Sequence, residues 1–156
     1  MRENNFSMKR AAAAALVVAF LVAGVGAVIA QSDPIAARKA LMKENDENAL
    51  ALVRMMRGQM PFDPVKVDAA FAQWEDTAKK LPGLFPGNSQ IGQETRAASK
   101  IWIAKADFDA MAAEFGKVVA ENRVKAKASL AGLRAAIPPI GNACDNCHKE
   151  YRTSRR

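Results

Sequence analysis

The stretch LAGLRAAIPPIGNACDNCHKEY, residues 130–151, decides how this chain is built. Leu130, Leu133, Ile137, Ile140, Cys144, Cys147 and Tyr151 recur at alternating steps of three and four, the spacing that lines one face of an α-helix. Both cysteines of the chain and its single histidine, His148, fall at the end of that stripe. Pro138 and Pro139 interrupt it, and proline inside a helix removes a backbone donor and crowds the preceding turn. The helix therefore either kinks at the pair or begins after it. The unbroken seam across both prolines favours a kink.

Three more stripes lie upstream. Asp33-Pro34 is a cap followed by a first-turn proline, and Ile35, Met42, Ala49 and Met56 then recur every seven residues until Gly58 and Pro61 end the helix. Asp63-Pro64 opens a second helix in the same way, carrying Val67, Phe71, Trp74, Ala78 and Leu81 as far as Pro82-Gly83. The third stripe is Ala104, Phe108, Met111, Phe115 and Val118. No stretch alternates with period two for long enough to read as a strand. Four amphipathic helices on short links, with one longer Gly/Pro-rich loop over about residues 82–100, predict an all-α chain folded as an antiparallel four-helix bundle.

The 156 residues suffice for one domain of ordinary size. Residues 1–30 read as an export signal: Lys9 and Arg10 form a basic start, Ala11–Ala30 is apolar, and short residues precede the polar Gln31. A retained membrane anchor is the competing reading. Much of the stretch is alanine and its strongly apolar centre spans only Leu16–Val25, which favours a signal cleaved after Ala30. The expected mature domain is 31–156, soluble and periplasmic, with no stable membrane insertion. The chain carries a net charge of +7, and removing residues 1–30, which hold three cations and one acid, leaves +5. Its basic residues are interspersed with acids and lack the aromatic interleaving of a nucleic-acid surface. The charge supports no more than a mild preference for acidic protein partners.

Exported chains meet an oxidising compartment, so the two cysteines need a use. On a helix Cys144, Cys147 and His148 share one face. A thioredoxin-like redox pair needs a strand feeding a helix, which the pattern lacks. Structural zinc wants four ligands, and the chain offers three N/S donors of these kinds. A small disulfide-bonded helical interaction protein is a further, cofactor-free reading. Cys-x-x-Cys-His best fits covalent haem c, with each thiol adding to a vinyl group and the histidine reaching the iron. With no second histidine, the opposite axial position falls to a methionine, a lysine, water or nothing. Met42, Met55, Met56, Met60 and Met111 lie beyond the signal. Met42 is the best placed, early on the inner seam of the first helix, where an antiparallel bundle brings it near the end of the fourth.

CDNCHKEYR near the C-terminus, ARKALMKENDENALAL, LFPGNS and KIWIAKADFDAMAAEF together resemble the cytochrome c′ family, and most closely its low-spin branch, often called cytochrome c-556. The resemblance covers nearly all of the mature chain. It implies a left-handed bundle with haem near one end, commonly dimeric through the first two helices. In ordinary members an apolar residue leaves the iron five-coordinate and open to nitric oxide or carbon monoxide. In the low-spin branch a methionine, four residues after a position often held by arginine, ligates it. Arg38 and Met42 match that pattern, which implies axial ligation by His148 and Met42 and places Arg38 near a haem propionate. Arg152, one turn beyond His148, would raise the potential by its charge, the alternative being a freely solvated side chain near a frayed C-terminus. Trp102 and Phe108 match aromatic positions of the family, although core packing explains them equally well.

The expected function is electron transfer with redox partner proteins, the alternative being a gas-binding five-coordinate protein. No general acid or base is left over beside the iron, so catalysis is not expected.

Overall fold

The structure, a computed structural model, describes residues 33–92 and 94–154. The expected signal, residues 1–30 with cleavage after Ala30, lies outside the described residues. Among the described residues there are four long helices, α1 (Pro34–Met56), α2 (Pro64–Lys80), α4 (Lys105–Ala128) and α5 (Leu130–Tyr151), with a one-turn α3 (Lys100–Ile103) leading into α4. Two short 3₁₀ turns, Leu81–Leu84 and Gly87–Ser89, shape the long connection after α2. Among the described residues the β-type pairing is a single isolated bridge between Ala97 and Arg152.

The helices start where the sequence caps them. Asp33 Oδ1 accepts from the Ile35 and Ala36 amides at 2.8 and 3.3 Å, and Asp63 Oδ1 from Val65 and Lys66 at 3.0 and 3.2 Å. Each cap satisfies end amides that have no partner within the helix, an effect of about 1 kcal/mol. Gly58 adopts φ +72 just after α1, a conformation that side chains other than glycine's resist.

The expected seam of α2 is buried along its whole length: Val67, Phe71, Trp74 and Ala78, with Leu81 just beyond. Together with Leu52, Met55, Val119, Ala126, Leu133, Ala136 and Ile140 its first three members form the main core. On the other seams the sequence reading needs correction. In α1 the buried residues are Ile35, Arg38, Leu52 and Met55, while Met42, Ala49 and Met56 are half-buried. In α4 the buried line runs Phe108, Ala112, Val119, Asn122 and Ala126, so Met111, Phe115 and Val118 sit on its flank. Small residues win these places because the helices approach closely. A methyl group on Gly116 would stand 3.0 Å from the Ala78 Cβ.

Helix α5 neither stops nor restarts at Pro138 and Pro139; both lie inside it. The carbonyls that lose their donors belong to Arg134 and Ala135, whose residues are exposed, so water can serve them.

An ion-pair network ties α2 to α4. Arg123 donates to both Asp68 oxygens at 2.8 and 3.0 Å and to Glu75 at 3.0 Å, and Lys127 reaches Asp68 at 3.1 Å. Hydrogen bonds from Arg123, then Lys127, hold the Asp68 carboxyl well below the usual carboxylate range. A depressed folded value means the stabilisation is complete above the unfolded value of about 3.9 and is lost as pH falls below it. Denaturant midpoints measured between about pH 5 and 2 should therefore fall less steeply for Asp68→Asn than for the wild-type chain. Parallel curves would show that the network contributes nothing.

Candidate functional site

The end of α5 carries Cys144, Cys147 and His148, all half-buried. Cys144 packs against the main core, whereas Cys147 packs against a second apolar cluster of Leu81, Phe85, Ile101, Phe108 and Tyr151. The motif thus sits at the junction of two clusters. Edge-on aromatic contacts stiffen the second one: Trp102 to Phe85 (5.7 Å between centroids), Phe85 to Phe108 (4.8 Å) and Phe108 to Tyr151 (5.1 Å). Trp102 and Phe108 both belong to this aromatic row, and the Trp102 Nε1 donates to the Pro86 carbonyl at 3.0 Å.

No disulfide joins Cys144 and Cys147. Burial, with the neighbouring Cys147 and Asp145 adding to it, pushes the Cys144 thiol up to about 11, and burial raises Cys147 as well. A redox pair needs the opposite shift, toward thiolate. Among the described residues no group of three or more His, Cys, Asp or Glu side chains is arranged to hold a metal ion. Burial, and then the charge of Arg152, lowers the His148 imidazole and so favours the neutral form that can ligate iron. Arg152, the C-cap of α5, is exposed and lines an open cavity of about 530 Å³ with Arg96, Asp145, His148 and Lys149.

The five methionines separate by cluster. Met55, Met56 and Met60 belong to the main core, whereas Met42 and Met111 pack against the same aromatic cluster as Cys147. Two cysteines one turn apart, an imidazole on the same face and a thioether across a shared apolar cluster together fit a haem group.

Arg38 is 5% exposed, the most buried charged residue described. Its Nη1 donates to the Leu84 carbonyl and to Ser89 Oγ, both at 3.0 Å, and its Nη2 to the Ser89 carbonyl (2.9 Å) and to Thr95 Oγ1 (2.8 Å). The guanidinium also lies 4.6 Å from the Phe85 ring centre. Both terminal nitrogens are therefore engaged by the long loop, and Nε is the donor these bonds leave over. Sequence reasoning met Ser89 only as the last residue of LFPGNS and gave neither it nor Thr95 a role. Their partner is distant in sequence, and no spacing rule connects them.

The C-terminal tail is fastened to the same loop. The Ala98 amide donates to the Tyr151 carbonyl and the Thr153 amide to the Arg96 carbonyl, each at 2.9 Å, and Arg96 returns Nε and Nη2 to the Thr153 carbonyl. Lys100 of α3 pairs with Glu150 of α5.

Comparison with known proteins places this arrangement among others. The family profile described as Cytochrome C′ matches residues 33–152. Cytochrome c-556 of Rhodopseudomonas palustris is 39% identical across 88% of this chain and 94% of its own. Cytochrome c′ of the same organism is 36% identical across 90% and 96%. The solved structure of a cytochrome c′ from Rhodopseudomonas palustris superposes with a TM-score of 0.75 at 35% identity, over 81% of this chain and all of that one.

Proposed function

The chain belongs to the cytochrome c′ family, whose haem c is covalently bound, and on that premise we propose that it is an exported one-electron carrier with His148 and Met42 as axial ligands. Its fold is the family's four-helix bundle, and no helix among the described residues is long and apolar enough to cross a membrane. Bound haem supplies the redox couple. Cys144 and Cys147 would tether it, His148 would give the neutral imidazole and Met42 the thioether. The observation that carries the reading is that Met42 and Cys147 pack against one apolar cluster from opposite helices. Met111 shares that cluster, but the step of four from Arg38 to Met42 matches the low-spin branch that the chain resembles, which favours Met42.

Mass spectrometry of protein from a host that matures c-type cytochromes should give the chain from Gln31 plus one haem that acid–acetone does not extract. Extractable haem would sink the attachment. The ferric optical spectrum should be low-spin and unchanged in Met111→Leu. The gas-binding reading draws on the nearly equal identities to proteins named cytochrome c-556 and cytochrome c′. A high-spin spectrum and fast carbon monoxide binding would put that reading first.

A further inference from the structure

We infer that Arg38 is a positioning residue that sets the Met42 sulfur at its ligating height by locking α1 to the loop over residues 84–98. The inference rests on the proposed Met42 ligation. Arg38 stands one helical turn before Met42, so whatever fixes its backbone fixes that of Met42. A buried guanidinium that donates to four loop oxygens has a single low-energy position. Loss of hydration on burial is the first influence on Arg38 and works against its charge, so these oxygens are what hold it in place.

The far end of the loop is not free to drift. Residues 96–98 pair with residues 151–153, directly after the helix of His148. Glu94, beside Thr95, holds φ +52, a left-handed conformation that side chains other than glycine's adopt rarely. Neighbouring bonds must therefore maintain the loop's path. The two helices that bear the axial residues are thus referenced to one short segment, α1 through Arg38 and α5 through its tail. Met42 sits on an apolar seam that would accept it in more than one rotamer. Without the lock, the thioether would sample positions too far from the iron to bind.

Three holoprotein variants test this, read by ferric spin state and by the rate of carbon monoxide binding well below the melting temperature. Arg38→Met keeps bulk and removes all four bonds. It should become mixed-spin and bind carbon monoxide roughly tenfold faster, since misplacement of a reacting group by about 1 Å costs up to a hundredfold. Thr95→Val removes one of the four bonds to Arg38, together with the longer bond from the Ala97 amide to the same hydroxyl, and should move both readouts the same way by a smaller amount. Arg38→Lys keeps the charge without the fork and should resemble Arg38→Met. A residue that merely stabilised the bundle would lower the melting temperature and leave both readouts unchanged. Low-spin Arg38→Met overturns the inference alone, as does full rescue by Arg38→Lys with Thr95→Val silent, which would assign Arg38 a charge role. Should Arg38→Met not fold, Thr95→Val decides: mixed-spin upholds the lock and an unaltered spectrum refutes it. High-spin wild-type protein overturns the Met42 ligation itself, and the lock with it.

Discussion

Met42→Leu is expected to turn a low-spin ferric protein high-spin, to abolish the weak long-wavelength methionine–iron band, and to open the reduced protein to carbon monoxide. A tethered sulfur competes with an added ligand at its effective concentration, which for a side chain on a folded helix is high. Such tethering changes apparent binding by about 100-fold or more, so carbon monoxide association should rise on that scale. The bundle itself should hardly notice. Leucine and methionine have similar volumes, exchanges between them usually cost under about 1.5 kcal/mol, and the site is half-buried. The potential should also fall, because an axial methionine favours the reduced iron. Stopped-flow mixing of dithionite-reduced protein with carbon monoxide, beside the ferric spectrum, settles the matter. Equal rates in the two proteins would exclude Met42 as ligand.

Phe71→Ala should cost the most stability of any single truncation in α2. The ring is fully buried, packs 5.2 Å from the Trp74 ring, and sits where α2 meets the main core. Removing a buried phenylalanine costs about 3–5 kcal/mol, transfer and cavity terms together. For a chain of this size that corresponds to a fall in melting temperature of roughly 10–20 °C. Val124→Ala, at a position 72% exposed on α4, should stay within about 0.5 kcal/mol of wild type. The two variants compared by calorimetry would show whether the core carries the weight its burial implies. A drop below about 1 kcal/mol for Phe71→Ala would mean the cavity collapses or that the unfolded holoprotein retains this contact.

How much of this was legible beforehand depended on how strongly each helix was patterned. α2 separates large apolar residues from charged ones and its seam emerged intact, as did the caps at Asp33 and Asp63, while on α5 Leu133, Ile140 and Tyr151 are buried and Leu130, Ile137, Cys144 and Cys147 half-buried. α1 and α4 are rich in alanine, so the apolar face is wide and its centre ambiguous. Choosing the large residues Met111, Phe115 and Val118 placed the α4 line beside the true one, where Ala112 and Ala126 are buried because the helices touch closely. Arg38 was harder still. Rules of burial put arginine at the surface, and only the loop oxygens assembled by residues 84–95 make its burial tolerable. The Cys-x-x-Cys-His motif needed no fold to be noticed, since the chain has no other cysteine or histidine. That Met42 and Met111 share a cluster with Cys147, while three other methionines do not, required three dimensions.

The paired prolines of α5 have a consequence for how the molecule comes apart. They leave a joint of two exposed carbonyls at Arg134 and Ala135, with main-core residues on both sides of it, Leu133 before and Ala136 and Ile140 after. Opening fluctuations travel along hydrogen-bonded ladders, and here the ladder has two missing rungs. Past the joint, Ala136, Ile140 and Cys144 still pack with the main core, whereas Cys147 and Tyr151 in the last turn depend on the aromatic cluster and on what is tethered there. The last turn, where a bulky macrocycle must be received, can therefore open while the main core stays closed.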